Sequence, residues 1–324
     1  MSGSLPRAAR STSRARRRSL VALPALTALV LALAACGDSA EGDDEGAAAS
    51  SSAADFPVTL TADNGEVTID EQPAAIVSMS PTATETLFAI GAGDQVTAVD
   101  DNSNHPADAP ITDLSAFTPN AEAIVGYEPD LVVLSDDQNG IVDALEALDV
   151  PVLLLGAAED LDDAYAQMEL LGEATGHADE AADEAADVRD RIQAAVDSVP
   201  ADAAGQKVFH ELGPELYSAD SSTFIGSIYG LLGLENIADG APDPSGGYPQ
   251  LSAEYVVQQA PDLIVLADTK CCDQSAATVA ERPAFAAVPA VVEDRIVEAD
   301  DDVASRWGPR IADFTETVAE ALQG

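Results

Sequence analysis

The segment that determines the fold is Asn120-Ala-Glu-Ala-Ile-Val-Gly-Tyr-Glu-Pro-Asp-Leu-Val-Val-Leu134, because it recurs as Ser252-Ala-Glu-Tyr-Val-Val-Gln-Gln-Ala-Pro-Asp-Leu-Ile-Val-Leu266. The copies share Ala, Glu, Val, Pro, Asp, Leu, Val and Leu at equivalent positions. Each predicts a short helix with an exposed Glu, a Pro-Asp turn and a buried parallel strand. A period this long indicates a repeated lobe and not a solenoid. Two similar lobes usually meet at a cleft that binds small molecules, so the duplication favours a receptor over an enzyme.

Helices and strands alternate outward from both copies, which is typical of parallel sheets covered by helices. Before the first lobe, Val58 to Ile69 alternates around Asp63-Asn64-Gly65 and predicts a β-hairpin. Between the lobes, apolar residues at spacings of three and four from Ala178 to Val199 predict one helix about 33 Å long. We expect an N-terminal lobe at 56–157, connector helices at 158–200 and a C-terminal lobe at 201–324. A rigid connector predicts a small hinge change when ligand binds.

The amino terminus has the pattern of a targeting segment. Six arginines precede an apolar run, Leu20 to Ala35, that is too short to span a membrane comfortably. The run ends in Leu33-Ala-Ala-Cys-Gly-Asp38, which resembles a bacterial lipobox, in which the Cys is diacylated and becomes the first mature residue. An ordinary signal peptide with an incidental Cys is the alternative. We expect a signal peptide at 1–35, a lipid anchor on Cys36 at the extracytoplasmic face of the bacterial cell membrane, and a flexible tether at 36–55.

The chain is strongly acidic, with 58 Asp and Glu against 14 Lys and Arg and a formal net charge of −44. Six of the basic residues lie before the apolar run. This balance excludes nucleic acid as a partner. Most of the acidity follows helix faces such as Asp179 to Asp190, where a solvated surface is the ordinary explanation. The few cations of the folded part are therefore conspicuous.

A set of motifs between Ala75 and Leu322 resembles the helical-backbone solute-binding proteins of ABC importers. The motifs are the two Pro-Asp-Leu repeats, the connector helix, Ile76-Val-Ser-Met-Ser-Pro-Thr-Ala-Thr-Glu85, Tyr248-Pro-Gln-Leu-Ser-Ala-Glu254 and Ser305-Arg-Trp-Gly-Pro-Arg-Ile311. The family comprises ferric-siderophore, haem and vitamin B12 receptors. The resemblance implies an α/β fold of two Rossmann-like lobes joined by one long connector helix, with the ligand cleft between the lobes. It implies a monomeric, non-enzymatic protein without a cofactor that captures a metal chelate and delivers it to a permease dimer with its ATPase.

Aromatic residues in predicted loops are candidates for the ligand site, because a metal chelate offers broad, partly apolar surfaces. Phe117 and Tyr248 precede the two copies of the repeat and match pocket aromatics of the B12 branch of the family. Tyr217, after the Phe209 strand, is a third candidate. Packing in the protein interior is the alternative for each of them.

A second candidate group lies between the last strand and the last helix. Arg306 and Trp307, the only Trp, stand there with Arg310 and concentrate cations in an acidic chain. An Arg holds a carboxylate or phosphate through two hydrogen bonds, which suits an anionic siderophore or the phosphodiester of cobalamin. Alternatively, Arg306 bridges one of the acidic residues at 300–302, and Arg310 is structural.

In the resembled family each lobe presents a surface Glu to basic residues of the permease, and Glu122 and Glu254 occupy those positions. A pseudo-symmetric receptor on a two-fold permease needs one similar contact per lobe. The alternative is that each Glu only caps or solvates its own helix. Separately, the adjacent Cys271 and Cys272 predict a vicinal disulfide, with free thiols or a link to another protein as alternatives.

Three other functions are alternatives to a metal-chelate receptor. A receptor for bare zinc or manganese would need several His and carboxylate ligands, and only His105, His177 and His210 exist. A lipid-anchored hydrolase or a nucleotide-binding protein would need a motif such as Gly-x-Ser-x-Gly or a P-loop, and only Ser80-Pro81 imitates a nucleophile turn. An adhesion lipoprotein is the third. We expect a ferric siderophore before a corrinoid, because siderophore receptors are numerous in the family, although the aromatic positions favour cobalamin.

Overall fold

The computed structural model describes residues Phe56–Gln323. The predictions of a signal peptide at 1–35, a lipid anchor on Cys36 and a tether at 36–55 therefore concern residues outside the described part. Within Phe56–Gln323, none of the helices has both the length and the apolar character needed to cross a bilayer.

The predicted hairpin is confirmed. Strands β1 (Val58–Ala62) and β2 (Gly65–Ile69) pair antiparallel. The side chain of Asn64, in the turn, donates to the carbonyl of Val152 (3.0 Å) and accepts from the amide of Leu154 (3.1 Å). The hairpin thereby covers the outer strand of the first lobe, whose backbone groups would otherwise be unpaired.

The first lobe contains a four-stranded parallel sheet. Its strands are β3 (Ile76–Met79), β4 (Val96–Val99), β5 (Leu131–Leu134) and β6 (Val152–Leu154), in the spatial order β4-β3-β5-β6. Every residue of β3 and β5 is buried, which explains why all of them except Ser78 are apolar. The helices of this lobe are α1 (Pro81–Ala89), α2 (Ala121–Val125) and α3 (Ile141–Glu146).

The connector is a pair of helices, α4 (Leu161–Thr175) and α5 (Ala178–Ser198). Leu171 of α4 and Ala181 of α5 pack into the core of the first lobe. Met168 of α4 and Val188 of α5 pack into the core of the second lobe. Both helices therefore run along both lobes, and the long predicted helix is joined by an antiparallel neighbour.

The second lobe repeats the sheet of the first. Its strands β7 (Lys207–Glu211), β8 (Glu235–Asn236), β9 (Leu263–Leu266) and β10 (Ile296–Glu298) are parallel, in the order β10-β9-β7-β8. In both lobes the first strand in sequence lies between the second and the third, and the fourth is at the far edge. The helices are α6 (Phe224–Leu231), α7 (Ala253–Gln259), α8 (Thr269–Cys272), α9 (Ala276–Ala280), α10 (Pro289–Val292) and α11 (Ile311–Ala321). The predicted two-lobed α/β fold is confirmed.

The repeated Asp of the Pro-Asp turn has the same contact in both lobes. Asp130 Oδ2 accepts hydrogen bonds from the amides of Ala74 (2.9 Å) and Ala75 (3.0 Å), just before β3. Asp262 Oδ2 accepts one from the amide of Lys207 (2.8 Å), at the start of β7. Each Asp thus connects the beginning of the third strand to the beginning of the first, which gives a physical reason for the repeated motif.

Candidate ligand cleft

The carboxyl ends of the strands in the two lobes meet at one place. In sheets of this type, ligands bind in the crevice outside the carboxyl ends of the strands. Asn104, in the loop after β4, donates from Nδ2 to Oδ2 of Asp302 (2.9 Å), in the loop after β10. The loops that follow the strands of the two sheets are therefore in direct contact across the lobes.

Arg306 lies in this lobe–lobe contact. It is buried, and its guanidinium donates to Glu85 Oε1 (2.7 Å), Asn104 Oδ1 (3.1 Å), the carbonyl of Asn102 (3.0 Å) and Asp302 Oδ1 (2.7 Å). The alternative that Arg306 bridges an acidic residue at 300–302 matches this arrangement. Because all these bonds are made within the protein, Arg306 is not among the ligand-binding residues that we propose below.

Arg310 belongs to the same contact. Its Nε and Nη2 donate to the two carboxylate oxygens of Glu85, at 2.9 Å and 2.5 Å. These hydrogen bonds to Glu85 raise the pKa of Arg310 above its ordinary value, despite its partial burial. The structural role that the sequence suggested for Arg310 is thus a bridge between the lobes.

Trp307 is half-buried where α4 approaches both lobes. Its Nε1 donates to Gln167 Oε1 of α4 (2.9 Å), and its ring packs against the core of the second lobe. Ser80 and Thr82 of the first lobe line the same narrow space. A ligand contact by Trp307 stays a prediction.

The three candidate aromatics are exposed at the carboxyl ends of the strands. Phe117 is 74% exposed, Tyr217 44% and Tyr248 50%. The carbonyl of Tyr217 accepts from the amide of Leu212, directly after β7, and the segment after Tyr248 is hydrogen-bonded to the segment after Tyr217. The segment that leads to Phe117 is held at the end of β4 by a bond from the amide of Asp101 to the carbonyl of Leu114 (2.8 Å). Their rings are therefore available to a ligand.

The charges at the carboxyl ends of the strands are unusual. Residues 56–157 contain neither Lys nor Arg. In the second lobe, the cations near the strand ends are already paired with carboxylates. Their pairs are Lys270 with Asp300 and Asp302, Arg282 with Glu211, Arg306 with Glu85 and Asp302, and Arg310 with Glu85. An anionic ligand would have to compete with these carboxylates for every one of those cations.

Comparison with known proteins identifies the family. The chain matches the periplasmic binding protein family over residues 76–303. The chain belongs to the periplasmic binding protein family. An uncharacterized ABC transporter substrate-binding lipoprotein, YvrC of Bacillus subtilis, is 30% identical over 309 residues, which cover 92% of this chain and 95% of that protein.

A second relative and a solved structure are also similar to this chain. A cobalamin-binding protein of Halobacterium salinarum is 30% identical over 279 residues, which cover 83% of this chain and 75% of that protein. The structure of the periplasmic heme-binding protein RhuT from Roseiflexus sp. RS-1 has a TM-score of 0.67 at 23% identity and covers 77% of this chain and 98% of that one. At this identity, the likeness to RhuT shows the fold alone. The family consists of binding proteins, which agrees with the receptor interpretation.

This periplasmic binding protein has a buried carboxyl pair in its second lobe. Glu211, at the end of β7, is fully buried and forms two hydrogen bonds with Arg282 (2.7 and 2.5 Å). Asp268, two residues after β9, is also fully buried. Burial and the neighbouring carboxylate of Glu211 raise the pKa of Asp268 to about 7, although Arg282 opposes the rise. Asp268 therefore holds a proton up to neutral pH.

Cys271 and Cys272 form the vicinal disulfide, which is the first of the three predicted alternatives. They end the short helix α8, whose amides from Thr269 to Cys271 donate to the carboxylate of Asp301. Partial burial of Asp301 acts to raise its pKa, but these hydrogen bonds outweigh burial and lower it.

The histidines do not converge on a metal site. His210 is fully buried, and its Nδ1 is 2.6 Å from the hydroxyl of Tyr229; burial lowers the pKa of His210 to about 4, so the ring stays neutral. The Nε2 atom of His177 lies 3.1 Å from the side-chain nitrogen of Gln95, just before the start of β4. Within Phe56–Gln323, no group of three or more His, Cys, Asp or Glu side chains is arranged to hold a metal ion. Ser80, whose sequence position resembles that of a catalytic nucleophile, is buried. Its side chain caps α1 by accepting a hydrogen bond from the amide of Ala83 (3.2 Å).

The sequence interpretation missed Glu85 as a functional residue. Glu85 is the only charged residue of α1. A single carboxylate in such a helix is a signal that a buried cation faces it, because an unpaired buried charge is costly. The two conspicuous arginines, Arg306 and Arg310, are its partners.

Proposed function

We propose that this chain is the substrate-binding receptor of an ABC importer, anchored by lipid on Cys36 at the extracytoplasmic face of the membrane. It captures a metal chelate and delivers it, as a monomer, to a permease dimer with its ATPase. The family match and the name of the Bacillus relative, nearly all of which the chain covers, support this assignment. The exposed position of Glu122 and Glu254 supports their contact with the permease.

The pairing of the cations with carboxylates supports our choice of ligand class. The first lobe lacks Lys and Arg, and the cations at the strand ends of the second lobe are bound to carboxylates. A cobalamin suits such a site, because its cobalt balances its phosphodiester and its rim consists of amides that donate to carboxylates and carbonyls. The exposed rings of Phe117, Tyr217 and Tyr248 supply flat apolar area. The cobalamin-binding relative supports the same choice. We therefore place a corrinoid before a ferric siderophore, which reverses the order suggested by the sequence.

A ferric siderophore without net negative charge is the second candidate. A neutral ferric trihydroxamate meets the same electrostatic requirement and also offers amide groups. A tricatecholate complex, with several negative charges, does not.

A calorimetric titration tests both the receptor assignment and the ligand class. The panel contains cyanocobalamin, haem, a neutral ferric trihydroxamate and an anionic ferric tricatecholate. We expect sub-micromolar binding of cyanocobalamin, and a roughly fivefold to twentyfold loss for Ala at Phe117, Tyr217 or Tyr248. The exposed Tyr127, which lies before the amino end of β5, is the matched control, and Tyr127→Ala should bind normally. Tightest binding of the tricatecholate or haem would contradict the electrostatic argument, and no binding of any chelate would contradict the receptor assignment.

A further inference from the structure

The contact between the lobes is centred on one carboxylate. Glu85 of α1, in the first lobe, is only 3% exposed. It accepts three hydrogen bonds from two arginines of the second lobe: one from Arg306 (2.7 Å) and two from Arg310 (2.9 and 2.5 Å). A single side chain of one lobe therefore holds two side chains of the other.

This arrangement fixes the distance between α1 and the segment before α11, and it also balances the charges of the two arginines. A buried ion pair stabilises only when its geometry is good, and removal of one partner leaves the other charges unpaired. Without the charge of Glu85, Arg306 would keep Asp302 of its own lobe and its uncharged partners in the first lobe, Asn104 and the carbonyl of Asn102. Arg310 would have no carboxylate partner across the contact. The remaining bonds that cross between the lobes here each have at least one exposed partner, Asn104 or Asn102, and none of them joins two opposite charges. The length of the Glu85 side chain thus sets how closely α1 and the segment before α11 approach.

We propose that Glu85 is a positioning residue that fixes the spacing of the two lobes and thereby the width of the cleft. The link to ligand affinity rests on the proposed receptor function. A cleft already held at the right width binds without the cost of ordering two lobes. If the lobes sample other spacings, the apparent affinity falls in proportion to the fraction of molecules that keep the right one.

The spacing is measured directly by double electron–electron resonance, without any ligand. Spin labels are placed on Ala123→Cys and Gln258→Cys, exposed positions on α2 and α7, in the full chain with Cys36→Ser. We expect one narrow distance distribution for the otherwise unchanged protein. Glu85→Gln should broaden the distribution or shift it by more than about 2 Å, because the charge that holds both arginines is lost. Glu316→Gln is the matched control: Glu316 also pairs with an arginine through two bonds, but it connects α5 and α11 and does not cross to the first lobe.

A second measurement, the affinity for cyanocobalamin, separates this inference from the proposed function. We expect Glu85→Gln to raise Kd about tenfold and Glu316→Gln to change it less than about twofold. An unchanged distance distribution in folded Glu85→Gln overturns the positioning role, whatever the protein binds. A changed distribution with normal cobalamin affinity overturns the claim about cleft width. If the distribution changes while the unmodified protein binds no chelate, the positioning role stands and the proposed function fails.

A conservative variant covers the case in which Glu85→Gln does not fold. Arg310→Lys keeps the positive charge but cannot donate to both oxygens of Glu85 from a planar group. It should change the distance distribution in the same direction by a smaller amount. A distribution identical to that of the unmodified protein would overturn the proposal here as well.

Discussion

At the scale of single residues, Asp268 and Glu211 are two buried carboxyl groups that share one nearby cation, Arg282. The pKa of Asp268 is raised to about 7, by burial first and then by Glu211. An acid whose pKa is raised on folding binds its proton more tightly in the folded state. Its contribution to stability is complete below the ordinary pKa near 4, and it is lost as the pH rises through about 7.

We therefore predict that the stability of Asp268→Asn relative to the unmodified protein rises by about 1 to 3 kcal/mol between pH 5 and pH 8. The amide is neutral at both pH values, so the cost of ionising a buried group disappears. Urea unfolding at the two pH values measures the difference. Asp273→Asn, which removes an exposed carboxylate from the same loop, is the control. A stability difference that does not grow between pH 5 and pH 8 would contradict the raised pKa.

Residue roles could be predicted from the sequence only in part. The concentration of cations at Arg306 and Arg310 was visible, and so were the aromatics at strand ends. The partner of both arginines was not, because Glu85 lies 221 residues before Arg306 and 225 before Arg310. Contacts between residues so far apart depend on how the lobes pack, which no local pattern specifies.

At the scale of secondary-structure elements, the connector depends on close packing of α4 against α5. Gly172 of α4 lies where the two helices touch: a Cβ there would overlap the Cβ of Ala181 and lie 2.8 Å from the carbonyl of His177. The backbone of both α5 and the preceding turn would have to move. Since α4 and α5 pack into the cores of both lobes, the displacement would reach both.

We predict that Gly172→Ala lowers the free energy of unfolding by about 1 to 3 kcal/mol, because the added methyl group overpacks the helix pair. Gly230→Ala is the matched control, since Gly230 also lies in a helix, α6, but a Cβ there meets nothing within 4 Å. That substitution should stabilise the protein by roughly 0.5 to 1 kcal/mol through helix propensity. Thermal unfolding of both variants measures the difference. Equal effects of the two substitutions would show that the helices do not depend on this approach.

The sequence predicted individual helices better than it predicted which helices pack against each other. The stripe from Ala178 to Val199 predicted α5 correctly, because helical periodicity is local. The stripe did not reveal that α4 runs beside it over both lobes. Only the ends of the stripe differ: Ala178 is exposed and Val199 half-buried, since both stand at the margins of the packed helix.

At the scale of the whole molecule, the duplication seen in fifteen residues extends to the full sheets. Both lobes place their four strands in the same order, and Asp130 and Asp262 make equivalent contacts. The sequence repeat could predict one α/β unit per lobe. It could not predict that the complete sheets share one strand order, because the outer strands β6 and β10 have little sequence similarity. A protein built in this way presents two similar surfaces, one from each lobe.

Glu122 and Glu254 occupy equivalent positions on these two surfaces. Each is exposed in the first turn of its helix, α2 or α7, two residues after the N-cap residue, Asn120 or Ser252. A helix that leads into a parallel strand begins near the carboxyl ends of the strands, so both carboxylates lie on the side of the molecule where the cleft opens. We predict that Glu122→Arg with Glu254→Arg leaves ligand affinity within about twofold and abolishes uptake, because like charges then face the permease.

The measurement is uptake and receptor-stimulated ATP hydrolysis by the permease and its ATPase in proteoliposomes. Glu173→Arg with Glu320→Arg makes the same change in net charge at exposed positions on α4 and α11, and it should leave both activities unchanged. The two single variants at Glu122 and Glu254 should lose activity to a similar extent, since each lobe contributes one contact to a two-fold partner. Normal uptake by the double variant would mean that Glu122 and Glu254 have no role in docking and that each carboxylate only stabilises the first turn of its helix. Loss in one single variant but not in the other would mean that the permease reads the two lobes unequally, despite their common fold.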